Sequence, residues 1–155
     1  MDVREMVQAH QQIFEAYHRL LSRIHKHSNA TQEDPALSKQ LFIIDRIQEE
    51  IINYRLQKIL NQEHPYLPQI HPGKLEREWE HQRSPLSQIV QHFIKLRQQF
   101  LNTLNALPSD QWRRSGVHET EGHVTFKELV RRMIDKDRQV LKLLDQLTAH
   151  QKLYR

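Results

Sequence analysis

The chain has 155 residues, no cysteine and a formal net charge of +4, which excludes disulfides, cysteine-based zinc sites and thiolate nucleophiles. Its three glycines are too few for the turns of a sheet protein, and its many Leu, Gln, Arg, Lys and Glu residues favour helix. The 23 basic residues are scattered among 19 acidic ones. Because they form no basic stripe, we predict no specific binding to nucleic acid.

The length is that of one ordinary domain, so we expect residues 1–155 to fold as a single helical unit. The first residues contain no apolar segment typical of a secretion signal, and no stretch approaches the roughly 20 apolar residues of a membrane span. Together with the lack of cysteine, these features predict a cytoplasmic protein that does not bind membranes.

Two helices are predicted in the first 60 residues from an apolar period near 3.6. The first runs from Val3 to His27, with one face formed by Val3, Met6, His10, Ile13, Tyr17, Leu20 and Ile24. After a polar linker, Asp34 and Pro35 predict an N-cap followed by a proline at the first helical position. The second helix extends from Pro35 to about Leu60 and is expected to bury Leu37, Leu41, Ile44, Ile47, Ile51, Tyr54 and Ile59.

Residues 61–83 interrupt the helical pattern with three of the six prolines, a glycine and two aromatic residues. A connection of this length in a compact domain is either a functional lid or an ordered crossover. We favour a crossover, because a bundle whose neighbouring helices are not consecutive in the chain needs one long connection.

The last two helices have clear start signals. Helix three is predicted to begin at Ser84 and Pro85, again as a cap followed by a proline, and to bury Leu86, Ile89, Val90, Phe93, Leu96, Phe100 and Leu104. Helix four opens at Thr125 and Glu128, which form a capping-box pattern. Its apolar face consists of Phe126, Leu129, Val130, Met133, Val140, Leu141, Leu144 and Leu147. The prediction is therefore an all-α four-helix bundle with one long crossover between helices two and three.

The order of features in residues 84–148 is more specific than the helices alone. A long amphipathic helix is followed by Leu107-Pro108-Ser109-Asp110-Gln111-Trp112, by a hairpin-like stretch from His118 to His123, and by the helix that opens at Thr125. This order, with Arg97 inside helix three, resembles the DinB-like superfamily of four-helix bundles. The resemblance implies the bundle fold. Because members of that superfamily are often homodimers, it also implies a homodimer.

The resemblance also implies a metal site, which this sequence does not retain. In that superfamily three histidines often hold the metal, one from helix two and two from helix four at positions i and i+4. The helix-four positions fall here on Lys136 and Val140, and the helix-two position falls on Asp45, or on Ile44 if the register shifts by one residue. Valine cannot coordinate a metal, and a protonated lysine repels one. We therefore predict no bound metal.

Three polar residues lie on faces that are otherwise apolar. His10 lies on the face of helix one, where a hydrogen-bonded core residue is the first interpretation and a pocket residue the second. Asp137 lies on the face of helix four and Arg97 on that of helix three. Because a buried carboxylate needs a partner, we predict an ion pair between Arg97 and Asp137 across the bundle interior.

These features lead to two predictions of function. The preferred one is a binding module for a small ligand or a protein partner, with neither a cofactor nor enzymatic activity. Its predicted pocket includes His10, Asp45, Arg97, Lys136, Asp137 and Val140. The alternative is a metal-dependent transferase or isomerase that uses a thiol cofactor. Its zinc or nickel would be held by a substitute set such as Asp45, His10 and one of the histidines at 64, 71 and 81.

Overall fold

The computed structural model describes residues 1–28 and 35–153 and shows a four-helix bundle beside a small sheet. The helices are α1 (Val3–Ser28), α2 (Pro35–Glu49), α3 (Gln57–Asn61), α4 (Pro72–His81), α5 (Leu86–Ala106) and α6 (Phe126–Leu153). A π-helical segment (Glu50–Leu56) joins α2 to α3, and a 3₁₀ turn (Ser109–Arg113) follows α5. The strands are β1 (Tyr66–Leu67), β2 (Ser115–His118) and β3 (Gly122–Thr125). The predicted helical bundle is confirmed.

The bundle core forms because α1 and α2 each pack against both α5 and α6. The apolar faces predicted for helices one, three and four supply most of the buried side chains, including Tyr17, Phe93 and Val130, which are each fully buried. Each such side chain stabilises the fold by roughly 1.5–3 kcal/mol relative to exposure. Among the described residues, no helix is long and apolar enough to cross a membrane.

The buried face of helix two differs from the prediction. Leu37, Leu41 and Ile59 are buried as predicted, but Tyr54 is 53% exposed and Ile44, Ile47 and Ile51 are only partly buried. Asp45, Gln48, Ile52 and Leu56 are buried instead. Two physical reasons account for this difference. The π-helical segment places more residues in each turn, which rotates later side chains around the axis. In addition, the apolar pattern could not identify Asp45 and Gln48 as buried, since both are polar.

The crossover is ordered, as predicted. It contains β1, which pairs in parallel with β2 through Tyr66 and Val117, and β2 pairs in antiparallel fashion with β3. Helix α4 packs on α2, with the Trp79 ring centroid 5.3 Å from that of Phe42. A Cβ at Gly116 would lie 2.7 Å from Cδ1 of Leu67, so the glycine permits the close approach of β1 to β2.

The helix starts correct two details of the prediction. Pro85, not Ser84, is the N-cap of α5, with an extended ψ of 142° and a carbonyl that accepts from the amides of Gln88 and Ile89. At α6 the Thr125 hydroxyl accepts from the Glu128 amide at 3.1 Å, as predicted. However, the Glu128 carboxylate binds the guanidinium groups of Arg131 and Arg132. It therefore does not accept from the Thr125 amide, as a complete capping box requires. The N-cap predicted at Asp34 lies outside the described residues.

Candidate functional site

A buried ion pair joins α5 to α6 at the centre of the bundle. Arg97 donates from Nη1 to Oδ2 of Asp137 at 2.8 Å and from Nη2 to Oδ1 at 2.5 Å. Both residues are 4% exposed. Burial alone would lower the pKa of Arg97, but Asp137, Tyr17 and Asp45 together outweigh it and the pKa is raised. This two-point geometry is the strongest form of an Arg–carboxylate pair, and it confirms the predicted contact.

The ion pair belongs to a network that reaches α1 and α2. The Tyr17 hydroxyl donates to Oδ1 of Asp137 at 2.9 Å, and Nε of Arg97 donates to Oε1 of Gln48 at 2.7 Å. Gln48 in turn donates to Asp45 at 3.0 Å. Burial and the nearby Asp137 carboxylate raise the pKa of Tyr17, so this hydroxyl keeps its proton and acts as a donor. Each of the four bundle helices therefore contributes a side chain to one connected polar network.

The network ends at the surface on His92. Nδ1 of His92 lies 2.6 Å from Oδ2 of Asp45, and the histidine side chain is 44% exposed. Burial raises the pKa of Asp45, while His92 acts in the opposite direction. Sequence reasoning identified neither His92 nor Gln48. The only available signal was the spacing of three residues between Asp45 and Gln48, which places both on one helical face.

A cavity of about 240 Å³ lies between helix two and α6, next to the ion pair. Six apolar side chains line it: Ile44, Ile47, Ile51, Leu129, Met133 and Val140. Its polar lining consists of Gln48, Arg55, Arg97, Arg132, Lys136 and Asp137. A larger hollow of about 770 Å³ lies between the outer faces of α1 and α5. We consider the smaller cavity the candidate site, because its walls include Gln48, Arg97 and Asp137 of the buried network, whereas the larger hollow contacts none of the network residues.

The structure brings four of the six predicted pocket residues to this cavity: Arg97, Lys136, Asp137 and Val140. Asp45 and His10 do not line it. Asp45 points toward His92 on the side of α5, whereas its neighbour Ile44 lines the cavity together with Lys136 and Val140. His10 is buried against α6, where its Nε2 lies 3.0 Å from the Val130 carbonyl oxygen.

Comparisons with known proteins identify the fold. No protein-family profile and no curated protein matches this chain. Among solved structures, it matches YfiT from Bacillus subtilis, described as a probable metal-dependent hydrolase with an unusual four-helix bundle topology. The match has a TM-score of 0.67 and covers 97% of this chain and 87% of YfiT, at 11% sequence identity. This chain has the four-helix-bundle fold of YfiT. At this level of identity, the likeness establishes the fold alone.

The residues at the positions where the resemblance implies metal ligands do not suit a metal ion. Lys136 and Val140 line the cavity opposite Ile44, so the three positions provide one amine and two hydrocarbon side chains. Across residues 1–28 and 35–153, no three His, Asp or Glu side chains are grouped so that they could hold a metal. The substitute set is not assembled either, since His10 bonds to Val130 and Asp45 to His92.

The burial of His10 in the four-helix bundle predicts a pH dependence of stability. Burial lowers the pKa of His10 below 6.5, and the Arg97 charge acts in the same direction. The unfolded chain therefore binds a proton below about pH 6.5 that the folded protein does not bind, so stability falls as the pH decreases from there. We expect His10→Phe, which keeps a ring beside Phe100, to lose less stability than the unmodified protein between about pH 7 and pH 5.

The measurement is urea denaturation of both proteins at several pH values. Taking the difference between them cancels the contributions of the other ten histidines, provided that their surroundings are unchanged. Parallel pH profiles for the two proteins would contradict a neutral, buried His10.

Proposed function

We propose that this protein is a binding module that holds a small molecule in the cavity between helix two and α6. The observation that carries the proposal is the position of the cavity. It lies where the resemblance places the metal site, and its walls there are Ile44, Lys136 and Val140 instead of metal ligands. The protein thus keeps an internal space at this position but supplies it with side chains suited to an organic molecule.

Two physical features favour ligand binding in this cavity. Its six apolar side chains supply surface that a ligand can cover, at roughly 25 cal/mol for each Å² removed from water. The floor of the cavity, formed by Arg97 and Asp137, is fixed before any ligand binds. Hydrogen bonds from Arg97 to Gln48 and from Tyr17 to Asp137 hold these two side chains in place. A preorganised site loses less affinity to ordering. The adjacent π-helical segment (Glu50–Leu56) contributes Ile51 and Arg55 to the wall, and such segments are frequent at functional sites.

The test uses thermal unfolding with octanoate, octanamide and octylamine, which share one apolar chain and differ in head-group charge. Binding only to the folded state stabilises it by about 2.7 kcal/mol when the ligand is present at 100 times its Kd. We expect at least one compound to raise Tm, and we expect Ile44→Trp, which fills the cavity from a partly buried position, to abolish that shift.

Leu143→Trp is the matched control, because Leu143 is 39% exposed on α6 and does not line the cavity. Val140→Phe provides a second cavity-filling variant on the opposite wall. The proposal fails if none of the three compounds raises Tm, or if Ile44→Trp and Leu143→Trp respond alike. A protein partner, a homodimer and a cytoplasmic location stay predictions from the sequence.

A further inference from the structure

We infer that the ligand is a small amphipathic anion, with an acidic head group held by Arg55 and Lys136 and an apolar body that occupies the cavity. This inference rests on the proposed function, since it assigns a chemical class to the molecule in that same site. Neither Arg55 nor Lys136 takes part in the central network, so the inference depends on different residues from those that fix the floor.

The charge balance of the cavity walls carries the inference. Four cationic side chains line the cavity, at Arg55, Arg97, Arg132 and Lys136, against the single carboxylate of Asp137. Two of these cations are neutralised. Arg97 pairs with Asp137, and Arg132 pairs with the carboxylates at 121 and 128. Within the described part of the chain, Arg55 and Lys136 form no salt bridge. The cavity walls therefore include two cations that no carboxylate contacts at salt-bridge distance, and an anion in the cavity would supply that partner.

Arg55 is already held in place for such a role. Its Nη2 donates to the Pro68 carbonyl oxygen at 2.5 Å, which ties the guanidinium to the crossover. A guanidinium has five N–H donors, so this bond leaves donors for a head group. Burial lowers the pKa of Arg55, and the charges of Glu50 and Glu121 offset this only in part. An anion bound beside the guanidinium would favour its charged form.

Lys136 and the apolar wall define the orientation of the ligand. Lys136 is exposed, whereas Met133 and Val140, one turn away on either side of it in α6, are buried. The cation thus lies at the open end and the hydrocarbon side chains lie inside. At about 240 Å³, the cavity is smaller than the roughly 300–1,000 Å³ of sites for drug-sized ligands. A short-chain or single-ring carboxylate matches this space, and a long-chain lipid does not.

The test compares the affinities of octanoate, octanamide and octylamine by isothermal titration calorimetry at low salt. Charge-assisted hydrogen bonds to a carboxylate are roughly twice as strong as neutral ones. We therefore expect octanoate to bind about tenfold more tightly than octanamide, and octylamine to bind most weakly. Added salt should weaken octanoate binding and leave octanamide binding unchanged, because only the former depends on charge.

Two variants assign the preference to named residues. Arg55→Gln and Lys136→Gln should each reduce the preference for octanoate over octanamide several-fold and leave octanamide affinity near that of the unmodified protein. Lys142→Gln, on an exposed position of the same helix that does not line the cavity, is the matched control and should keep the full preference. Lys136 is exposed, so its variant remains informative if the loss of the bond to Pro68 makes Arg55→Gln unstable.

The outcomes separate this inference from the proposed function. If octanoate and octanamide bind the unmodified protein equally, the anionic ligand class is wrong while the binding cavity stands. The same holds if Lys136→Gln and Lys142→Gln behave alike. If neither octanoate nor octanamide binds, both the inference and the proposed function fail.

Discussion

Replacing Asp137 with alanine is expected to destabilise the protein by about 3–5 kcal/mol, the usual cost of removing one partner of a buried ion pair. The variant would leave the Arg97 guanidinium charged and buried with two of its donors unpaired. It would also leave the Tyr17 hydroxyl without its acceptor. Because Arg97 is only 4% exposed, water in the adjacent cavity can replace the two carboxylate contacts only in part. Urea denaturation at neutral pH measures this loss.

Two control variants separate the charge from the packing. Tyr17→Phe removes one hydrogen bond and keeps the ring, so it should cost only about 0.5–1.5 kcal/mol. The double variant Arg97→Met with Asp137→Leu removes both charges, and it should be more stable than Asp137→Ala, because no buried charge is left unpaired. If the double variant is no more stable than Asp137→Ala, the loss has a different origin from the unpaired guanidinium.

Replacing Trp112 with alanine is expected to destabilise the fold by about 3–5 kcal/mol, the usual cost of deleting a large core aromatic side chain. Trp112 is 2% exposed in the 3₁₀ turn, and its ring meets that of Phe126 edge to face, with centroids 5.4 Å apart. The indole therefore joins the segment after α5 to the first turn of α6. Its removal would leave a cavity that short, rigid connections on both sides cannot close.

Chemical denaturation of two further variants tests the cause of this loss. Trp112→Phe keeps an aromatic contact with Phe126 and should retain part of the lost stability. Tyr54→Ala removes an aromatic side chain that is 53% exposed, and it should change stability by no more than about 0.5 kcal/mol. A similar small change for Trp112→Ala would mean that the turn does not depend on the indole.

The sequence predicted those site residues whose own chemistry is unusual for their position in a helix. A carboxylate and a guanidinium on two apolar faces predicted the contact of Asp137 with Arg97, since burial of either charge alone is too costly. Lys136 and Val140 were placed in the pocket by the resemblance, and both line the cavity. Asp45 was placed there as well, but the residue of helix two that lines the cavity is its neighbour Ile44. A shift of one residue turns a helical side chain by about 100°, which points Asp45 toward His92 and Ile44 into the cavity.

The sequence by itself determined the four helices of the bundle, the crossover between the second and third of them, and the presence of Lys136 and Val140 where the resemblance implies metal ligands. Apolar periodicity, proline positions and side-chain chemistry are local properties, and they can be read without knowing which helices meet. Only the tertiary structure decided which polar residues join the network and where the unpaired cations lie. Gln48 and His92 look like ordinary surface residues in the sequence, and Arg55 resembles the other arginines. Their roles depend on distances between helices, which a residue pattern along one helix does not contain.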